Sequence, residues 1–225
     1  MKDKDIEISK KLQEYENKKE SEITKQDFTF FDSLSKSCNS EIRNEIAEIL
    51  ALFPCKLSEN ILLQLINDED ELVRVNACDS LFFSTSVDTL KLLLKKAEHE
   101  TWLVRMYAVL SIGDITCSID SHLQRYKVSW LLERMLKVEK SETVHLSYYI
   151  SLVKLGKRRY YRNILKKLDA KDYHIRCIAV HNLPELVEED QYSLTKSKLK
   201  QRLAKETSFA VKDSIYRALS ELNQK

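Results

Sequence analysis

Apolar and basic residues recur in the same arrangement at six places along the 225-residue chain. In each copy an apolar residue precedes a basic one, a small or apolar residue follows three positions later, and a bulky apolar residue follows seven positions later. The basic positions are Arg43, Arg74, Arg105, His145, Arg176 and Lys212, with spacings of 31, 31, 40, 31 and 36 residues. These apolar positions share one face of a helix, and a further apolar column lies four positions after the basic residue. Each copy therefore predicts a helix that packs on two sides.

A second apolar-periodic stretch precedes each of these helices. Examples are "SVDTLKLLLKKAE" (86–98) and "YKVSWLLERMLKV" (126–138). Two helices in every 31 to 40 residues are typical of an α-solenoid, in which each repeat contacts mainly its neighbours. The chain has only two Gly and two Pro, which also favours long helices with short connections over sheets with many turns.

The central copies carry a recognisable family pattern. "VRMYAVLSIGDI" (104–115) combines Val-Arg, a small residue and an apolar-Gly step, and "DEDELVRVNACDSL" (68–81) adds an acidic turn before its Arg. Over residues 27–222 the chain resembles HEAT-repeat proteins, in particular the short HEAT-like repeats of phycobilisome lyases. The resemblance implies an all-α, right-handed α-solenoid of about six two-helix repeats. It also implies that the repeated Arg pairs with an acidic residue of an adjacent turn and is scaffold.

The two ends and one insertion complete the predicted organisation. Residues 1–23 are highly charged and predict an N-terminal helix or cap, Thr24 predicts the N-cap of the first repeat helix, and residues 24–225 are expected to form one repeat domain. The spacing of 40 residues indicates an insertion around 116–130 that lengthens the fourth repeat. Pro184 is expected to stop the second helix of the fifth repeat.

Cellular location is predicted from the N-terminus, the apolar runs and the cysteines. The first 20 residues lack the apolar core of a signal peptide, and no apolar run approaches the roughly 18 to 20 residues of a spanning helix. The five cysteines are scattered and form no CxxC pair. We therefore expect a cytoplasmic protein in a reducing compartment, without a membrane partner.

Catalytic and metal-binding motifs are absent from the sequence. There is no GxSxG, HExxH or P-loop, so no catalytic residue, cofactor or metal is expected. "HIRCIAVH" brings His174, Cys177 and His181 near one helical face, but a closed zinc site needs a fourth ligand. One enzymatic alternative is a HEAT-like DNA glycosylase for alkylated bases, with Trp102 and Glu100 at the DNA. Trp130 is predicted to be core.

The resemblance also predicts a binding surface, because the second helices of HEAT repeats line the concave side. Positions two, five and nine residues after the basic residue face outward there. They predict a partner-binding surface that contains Glu45, Asn76, Asp79, Tyr107, Leu110, Asp114, Ser147, His181 and Arg217. Aromatic and apolar residues at its centre suit a protein or peptide partner better than a phosphate backbone. The leading hypothesis is therefore a non-enzymatic protein-binding scaffold or adaptor.

The uneven distribution of charge indicates the main alternative, a nucleic-acid-binding protein. Residues 1–112 contain 15 Lys and Arg against 21 Asp and Glu, whereas residues 113–225 contain 22 against 14. The stretch "GKRRYYRNILKKL" (156–168) mixes cations with two Tyr, which suits phosphate contact and base stacking. The candidate nucleic-acid residues are Lys157, Arg158, Arg159, Arg162, Lys166 and Lys167. A further alternative, a lyase-like or chaperone role on a cofactor-bearing protein, rests on repeat similarity alone.

Overall fold

A computed structural model describes the backbone of residues 2–224 and the side chains of residues 5–224. This part of the chain is built from helices and short 3-10 turns and contains no strand. The α-helices are α1 (Lys2–Tyr15), α2 (Lys25–Leu34), α3 (Ser40–Leu52), α4 (Lys56–Leu65), α5 (Glu71–Ser80), α6 (Val87–His99), α7 (Trp102–Ser118), α8 (His122–Val138), α9 (Glu142–Lys154), α10 (Tyr161–Lys167), α11 (Tyr173–Leu186), α12 (Tyr192–Lys205) and α13 (Phe209–Gln224).

The helices from α2 onward form six pairs, as the periodicity predicts. The first helices are α2, α4, α6, α8, α10 and α12, and each is followed by a second helix that carries one of the six basic residues in its first turns. The chain divides into two compact units, which we call unit 1 (up to Asp120) and unit 2 (from Ser121). The predicted all-α fold of two-helix repeats is confirmed.

Local capping residues set where many of these helices begin. Thr24 caps α2 as predicted, because its hydroxyl accepts from the Asp27 N–H and its own N–H donates to Oδ2 of Asp27 at 2.8 Å. Gly156 ends α9 with a φ of +87°, a conformation that a side chain would strain. The N–H of Lys157 then donates to the Leu152 carbonyl, which satisfies an end of α9.

The second helices pack side by side and form the core of each unit. In unit 1, α3 lies between α1 and α5, and α5 lies between α3 and α7; in unit 2, α11 lies between α9 and α13. The repeated apolar columns are buried, for instance Val73, Ala77 and Leu81 in the second repeat. The small Ala77 lets neighbouring helix backbones approach, and the first helices cover the other side of the core.

The N-terminal helix α1 packs on α3 in the place that a second helix of another repeat would occupy. Its Leu12 and Tyr15 are buried, and the Tyr15 hydroxyl donates to Oδ1 of Asp27 at 2.6 Å. The ring of Tyr15 also contacts Phe31 edge-on, at 4.8 Å between centroids. The predicted helix within residues 1–23 is therefore an integral part of the packing of unit 1.

Repeated Arg residues connect neighbouring repeats within each unit. Arg43 forms a bidentate ion pair with Asp68, with Nε–Oδ2 at 2.7 Å and Nη2–Oδ1 at 2.8 Å. Arg176 pairs in the same way with Glu206, at 2.8 Å for both bonds. In each case the carboxylate lies in the turn between the two helices of the following repeat. The scaffold role expected for these Arg residues is confirmed.

Two predictions about helices were wrong, and the predicted insertion lengthens two helices. Pro184 does not stop α11, which continues to Leu186, because a proline in the last turn removes only one backbone hydrogen bond. Trp130 is not core: its side chain is 50 % exposed, since it lies on the face of α8 opposite the buried Val128 and Leu132. The residues around 116–130 extend α7 and α8, each of which has 17 residues.

The buried pair in unit 2 predicts a large loss of stability when it is broken. In Arg176→Ala the Glu206 carboxylate stays buried without its main partner, and we expect the free energy of unfolding to fall by about 3–5 kcal/mol. Urea unfolding followed by circular dichroism measures this. The control is Arg217→Ala, which removes an exposed pair with Asp213 and should cost less than about 1 kcal/mol. Equal losses in the two variants would contradict the role of the buried pair.

The same pair predicts how stability depends on pH. Burial alone would raise the pKa of Glu206, but hydrogen bonds from Arg176, the Ser208 N–H and Arg202 lower it to about 2. A Glu whose pKa is lowered on folding stabilises the folded state fully above about pH 4.3, the pKa of Glu in an unfolded chain. This stabilisation is lost as pH falls through 2. Glu206→Gln should therefore be much less stable than the parent at pH 7 and approach it between pH 4 and 2 in urea titrations. A constant difference would contradict the assignment.

Candidate protein-binding surface

The outward positions of α3, α5 and α7 form one surface of unit 1, which we call the unit 1 face. It exists because the apolar columns use the other sides of each second helix for packing, so that positions two, five and nine residues after the basic residue remain accessible. Six of the predicted partner-binding residues lie on it, and all of them are half-buried or exposed: Glu45, Asn76, Asp79, Tyr107, Leu110 and Asp114.

Asn76 and Glu45 are held by neighbouring helices and are the more structural members of this face. The Asn76 amide donates to Oδ1 of Asn44 at 2.8 Å and to Oε1 of Glu48 at 2.5 Å, which links α5 to α3. Glu45 accepts from the Ser9 hydroxyl at 2.9 Å and lines a cleft of about 420 Å³ between α1 and α3. These contacts fix the end of the face at which α1 lies.

An acidic pair occupies the other end of the unit 1 face. Asp79 on α5 reaches solvent but is crowded by surrounding protein, and this crowding, with the negative charge of Asp114 on α7, raises its pKa to about 6. Asp79 also lies in the last turn of α5, where the helix dipole disfavours an anion. At neutral pH the Asp79 carboxylate is therefore ionised at a cost to stability, which a cationic partner would relieve.

Tyr107 and Leu110 lie beside the acidic pair on α7. Burial and the charge of Asp79 both raise the pKa of the Tyr107 hydroxyl, which therefore remains a neutral hydrogen-bond donor at physiological pH. The half-buried side chains of Tyr107 and Leu110 provide aromatic and aliphatic contact area next to the two carboxylates. This combination can bind a Lys or Arg side chain together with an adjoining apolar residue.

The predicted partner-binding residues of unit 2 behave differently from one another. Ser147 was predicted wrongly: it is buried, and its hydroxyl donates to the Val144 carbonyl at 2.8 Å, because the outward positions of α9 are covered by packing. His181 on α11 is exposed. Arg217 on α13 is also exposed and pairs with Asp213 at 2.8 Å within its own helix.

Most of the predicted nucleic-acid residues are engaged within unit 2. Arg158 donates to the Leu186 carbonyl at 2.7 Å and pairs with Glu188, and Arg159 pairs with Glu133 at 2.7 Å. Lys167 pairs with Glu142 at 2.8 Å, and Lys157 lies 5.7 Å from the centre of the Tyr126 ring. Only Arg162 and Lys166 are exposed cations for which the structure gives no such contact. Intramolecular carboxylates therefore neutralise much of this basic stretch.

Sequence reasoning missed exposed apolar residues at the edges of the unit 1 face. Leu52 lies nine positions after Arg43, the place that Asp114 occupies in α7, and its side chain lines the cleft beside α1. Phe82 is exposed in the 3-10 turn that follows α5. Extending the nine-position row to every repeat would have found Leu52, whereas Phe82 lies where the helix has ended and periodicity no longer applies.

Neither a cluster of metal ligands nor a membrane-spanning helix occurs among the described residues. His174 contacts Oδ1 of Asp172 through Nδ1 at 3.0 Å, and no group of three or more potential metal ligands occurs among the side chains that the structure describes. None of the described helices combines the length and apolar character that crossing a membrane requires.

Comparisons with known proteins identify the repeats. The family model for HEAT repeats matches residues 29–113, which lie in unit 1. The chain is similar to a chain in the complex of CpcE and CpcF of phycocyanin lyase from Nostoc, with 14 % identity, a TM-score of 0.49 and coverage of 90 % of this chain and 94 % of that one. It is also similar to an engineered protein, with 16 % identity, a TM-score of 0.44 and coverage of 88 % and 97 %. No curated protein matches the sequence.

The acidic pair predicts a variant that is more stable than the parent. Because the pKa of Asp79 is raised, its ionisation costs stability above pH 6, and Asp79→Asn should raise the free energy of unfolding at pH 8 by about 0.5 kcal/mol after allowance for solvent screening. The gain should shrink as pH falls from 6 to 4. Thermal melts at several pH values measure this, with the exposed Glu98→Gln on α6 as the control. A less stable Asp79→Asn at pH 8 would contradict the analysis.

Proposed function

We propose that this chain, whose residues 29–113 match the HEAT-repeat family, is a non-enzymatic scaffold that binds a protein partner through the unit 1 face. The observation that carries the proposal is the juxtaposition of Asp79 and Asp114 with Tyr107 and Leu110. A carboxylate such as Asp79, whose ionisation costs folding stability, is worth retaining if a partner uses it, because active surfaces commonly trade stability for binding.

The chemistry of the face indicates what kind of segment it binds. A partner with a Lys or Arg beside an apolar side chain places its cation on the Asp79 carboxylate and its apolar group against Tyr107 and Leu110. Tyr is enriched among the residues that dominate interface energetics, and acidic complementarity selects basic partners and speeds their association. A phosphate backbone would be repelled by the same carboxylates.

The nucleic-acid alternative has weaker support. Arg158, Arg159 and Lys167 are used in intramolecular ion pairs, so a phosphate would have to compete with carboxylates for each of them. Salt-dependent retention on DNA would still reveal such a role, because binding to phosphates falls steeply with ionic strength.

Site-specific photo-cross-linking in the native cell tests the proposal. With a benzoylphenylalanine at position 107 we expect discrete protein adducts, and adding Asp79→Lys should reduce their yield about tenfold, since it reverses a charge that the partner contacts. Gel shifts and mass spectrometry measure the adducts.

The matched control places the photo-reactive residue at Leu57, an exposed apolar position on the first helix α4, and the matched charge reversal is Glu98→Lys on α6. The probe at Leu57 should give fewer adducts than the probe at position 107. Glu98→Lys should leave the yield from position 107 unchanged. Adducts of equal yield from Leu57, or adducts that Asp79→Lys leaves unchanged, would contradict the assignment of the unit 1 face.

A further inference from the structure

The first helix α8 of unit 2 is apolar on two opposite sides. Its inner side packs through Val128 and Leu132. Its outer side exposes Leu123 (62 %), Tyr126 (64 %) and Trp130 (50 %), together with Val138. No other described helix exposes as many large apolar residues. A surface helix normally has one apolar stripe, so a second, solvent-facing stripe indicates a contact surface.

Cations are interspersed with these apolar residues. Successive helical residues are about 100° apart, so Lys127, Arg134 and Lys137 fall within the same third of the circumference of α8 as Tyr126 and Trp130. This arc of the helix contains no Asp or Glu. Glu133, the one carboxylate within α8, lies beside the arc and pairs with Arg159 at 2.7 Å. We call this arc, with Lys157, Arg159 and Tyr160 beside it, the α8 stripe.

Each aromatic ring of the α8 stripe carries a cation. Arg134 lies 4.8 Å from the centre of the Trp130 ring, Lys157 lies 5.7 Å from that of Tyr126, and Arg159 lies 5.0 Å from that of Tyr160. Arg134, which is held against the Trp130 ring, keeps its N–H edge available for a carboxylate and is already fixed in position, whereas Arg159 is used by Glu133. The stripe is therefore preorganised for anionic groups that are flanked by apolar ones.

We propose that the α8 stripe binds an acidic amphipathic segment of a protein, with carboxylates on Arg134, Lys127 and Lys137 and apolar side chains on Tyr126 and Trp130. This surface and its ligand chemistry differ from those of the unit 1 face, and the proposal does not depend on the function proposed for that face. A protein segment fits better than single-stranded nucleic acid, because the cations occupy ring faces on which bases would stack. It fits better than a lipid surface, because the cations lie within the apolar arc and would lose hydration on insertion.

Fluorescence of Trp130 tests the proposal on the full chain. The sequence has two Trp, so Trp102→Phe leaves Trp130 as the sole reporter. The probe is a synthetic 18-residue peptide with Leu at helical spacing and Glu elsewhere. We expect saturable binding with a blue shift of the Trp130 emission, which weakens as salt is raised. The same peptide with Lys in place of Glu should not bind.

Charge-reversal variants provide the matched comparison. Arg134→Glu with Lys137→Glu should weaken binding of the acidic peptide at least about tenfold, whereas Lys198→Glu with Lys200→Glu on α12 changes the net charge equally and should leave it nearly unchanged. All these positions are exposed, and melting curves check that the fold is retained. If the double reversal on α8 lowers the melting temperature, binding of the acidic peptide is measured instead with the single variant Lys127→Glu.

Three outcomes would overturn the proposal. The first is tighter binding of a 12-nucleotide oligo(dT) than of the acidic peptide, which would make the stripe a nucleic-acid surface. The second is a blue shift of Trp130 with vesicles of phosphatidylcholine and phosphatidylserine but none with the peptide. The third is the absence of any response to the acidic peptide at low salt in a folded protein.

Discussion

The structure depends on buried ion pairs that join neighbouring repeats within each unit. Hydrophobic columns hold neighbouring second helices together, but apolar burial is non-directional and tolerates small shifts along a helix. The bidentate pairs Arg43–Asp68 and Arg176–Glu206 do not tolerate such shifts, because a guanidinium that loses its carboxylate would remain buried and charged. The pair therefore sets the register in which one repeat packs on the following turn. The apolar columns can then interdigitate in one arrangement.

This division of labour decides which positions remain available for function. Packing uses the residues before the basic position and those three, four and seven positions after it, so a partner can reach mainly the residues at two, five and nine. On the unit 1 face these positions include Asp79 and Tyr107, and burial together with the charge of Asp114 raises the pKa of Asp79. Residues that pack and residues that a partner can reach therefore occupy different positions on each helix. The stability lost at the acidic pair does not disturb the core.

The two units offer opposite surface chemistry. Unit 1 has 15 Lys and Arg against 23 Asp and Glu, and unit 2 has 22 against 12. In unit 1 carboxylates lie beside Tyr107 and Leu110, whereas on the α8 stripe cations lie beside Tyr126 and Trp130. Both surfaces combine aromatic area with charge of one sign, which favours partners of opposite charge. The two proposed surfaces share no residue and therefore favour chemically different protein segments.

The sequence alone determined the repeat architecture, the six second helices and the cap at Thr24, and its resemblance to HEAT repeats implied the scaffold role of the repeated Arg. Those features depend on local periodicity and on residue chemistry that repeats along the chain. Tertiary structure alone decided that Ser147 is buried, that Trp130 is exposed and that Arg158 and Lys167 are paired. A helical pattern shows which residues share a face but not what covers it, and α8 is apolar on both sides. Long cationic side chains, moreover, find carboxylates that are 25 to 30 residues away in sequence.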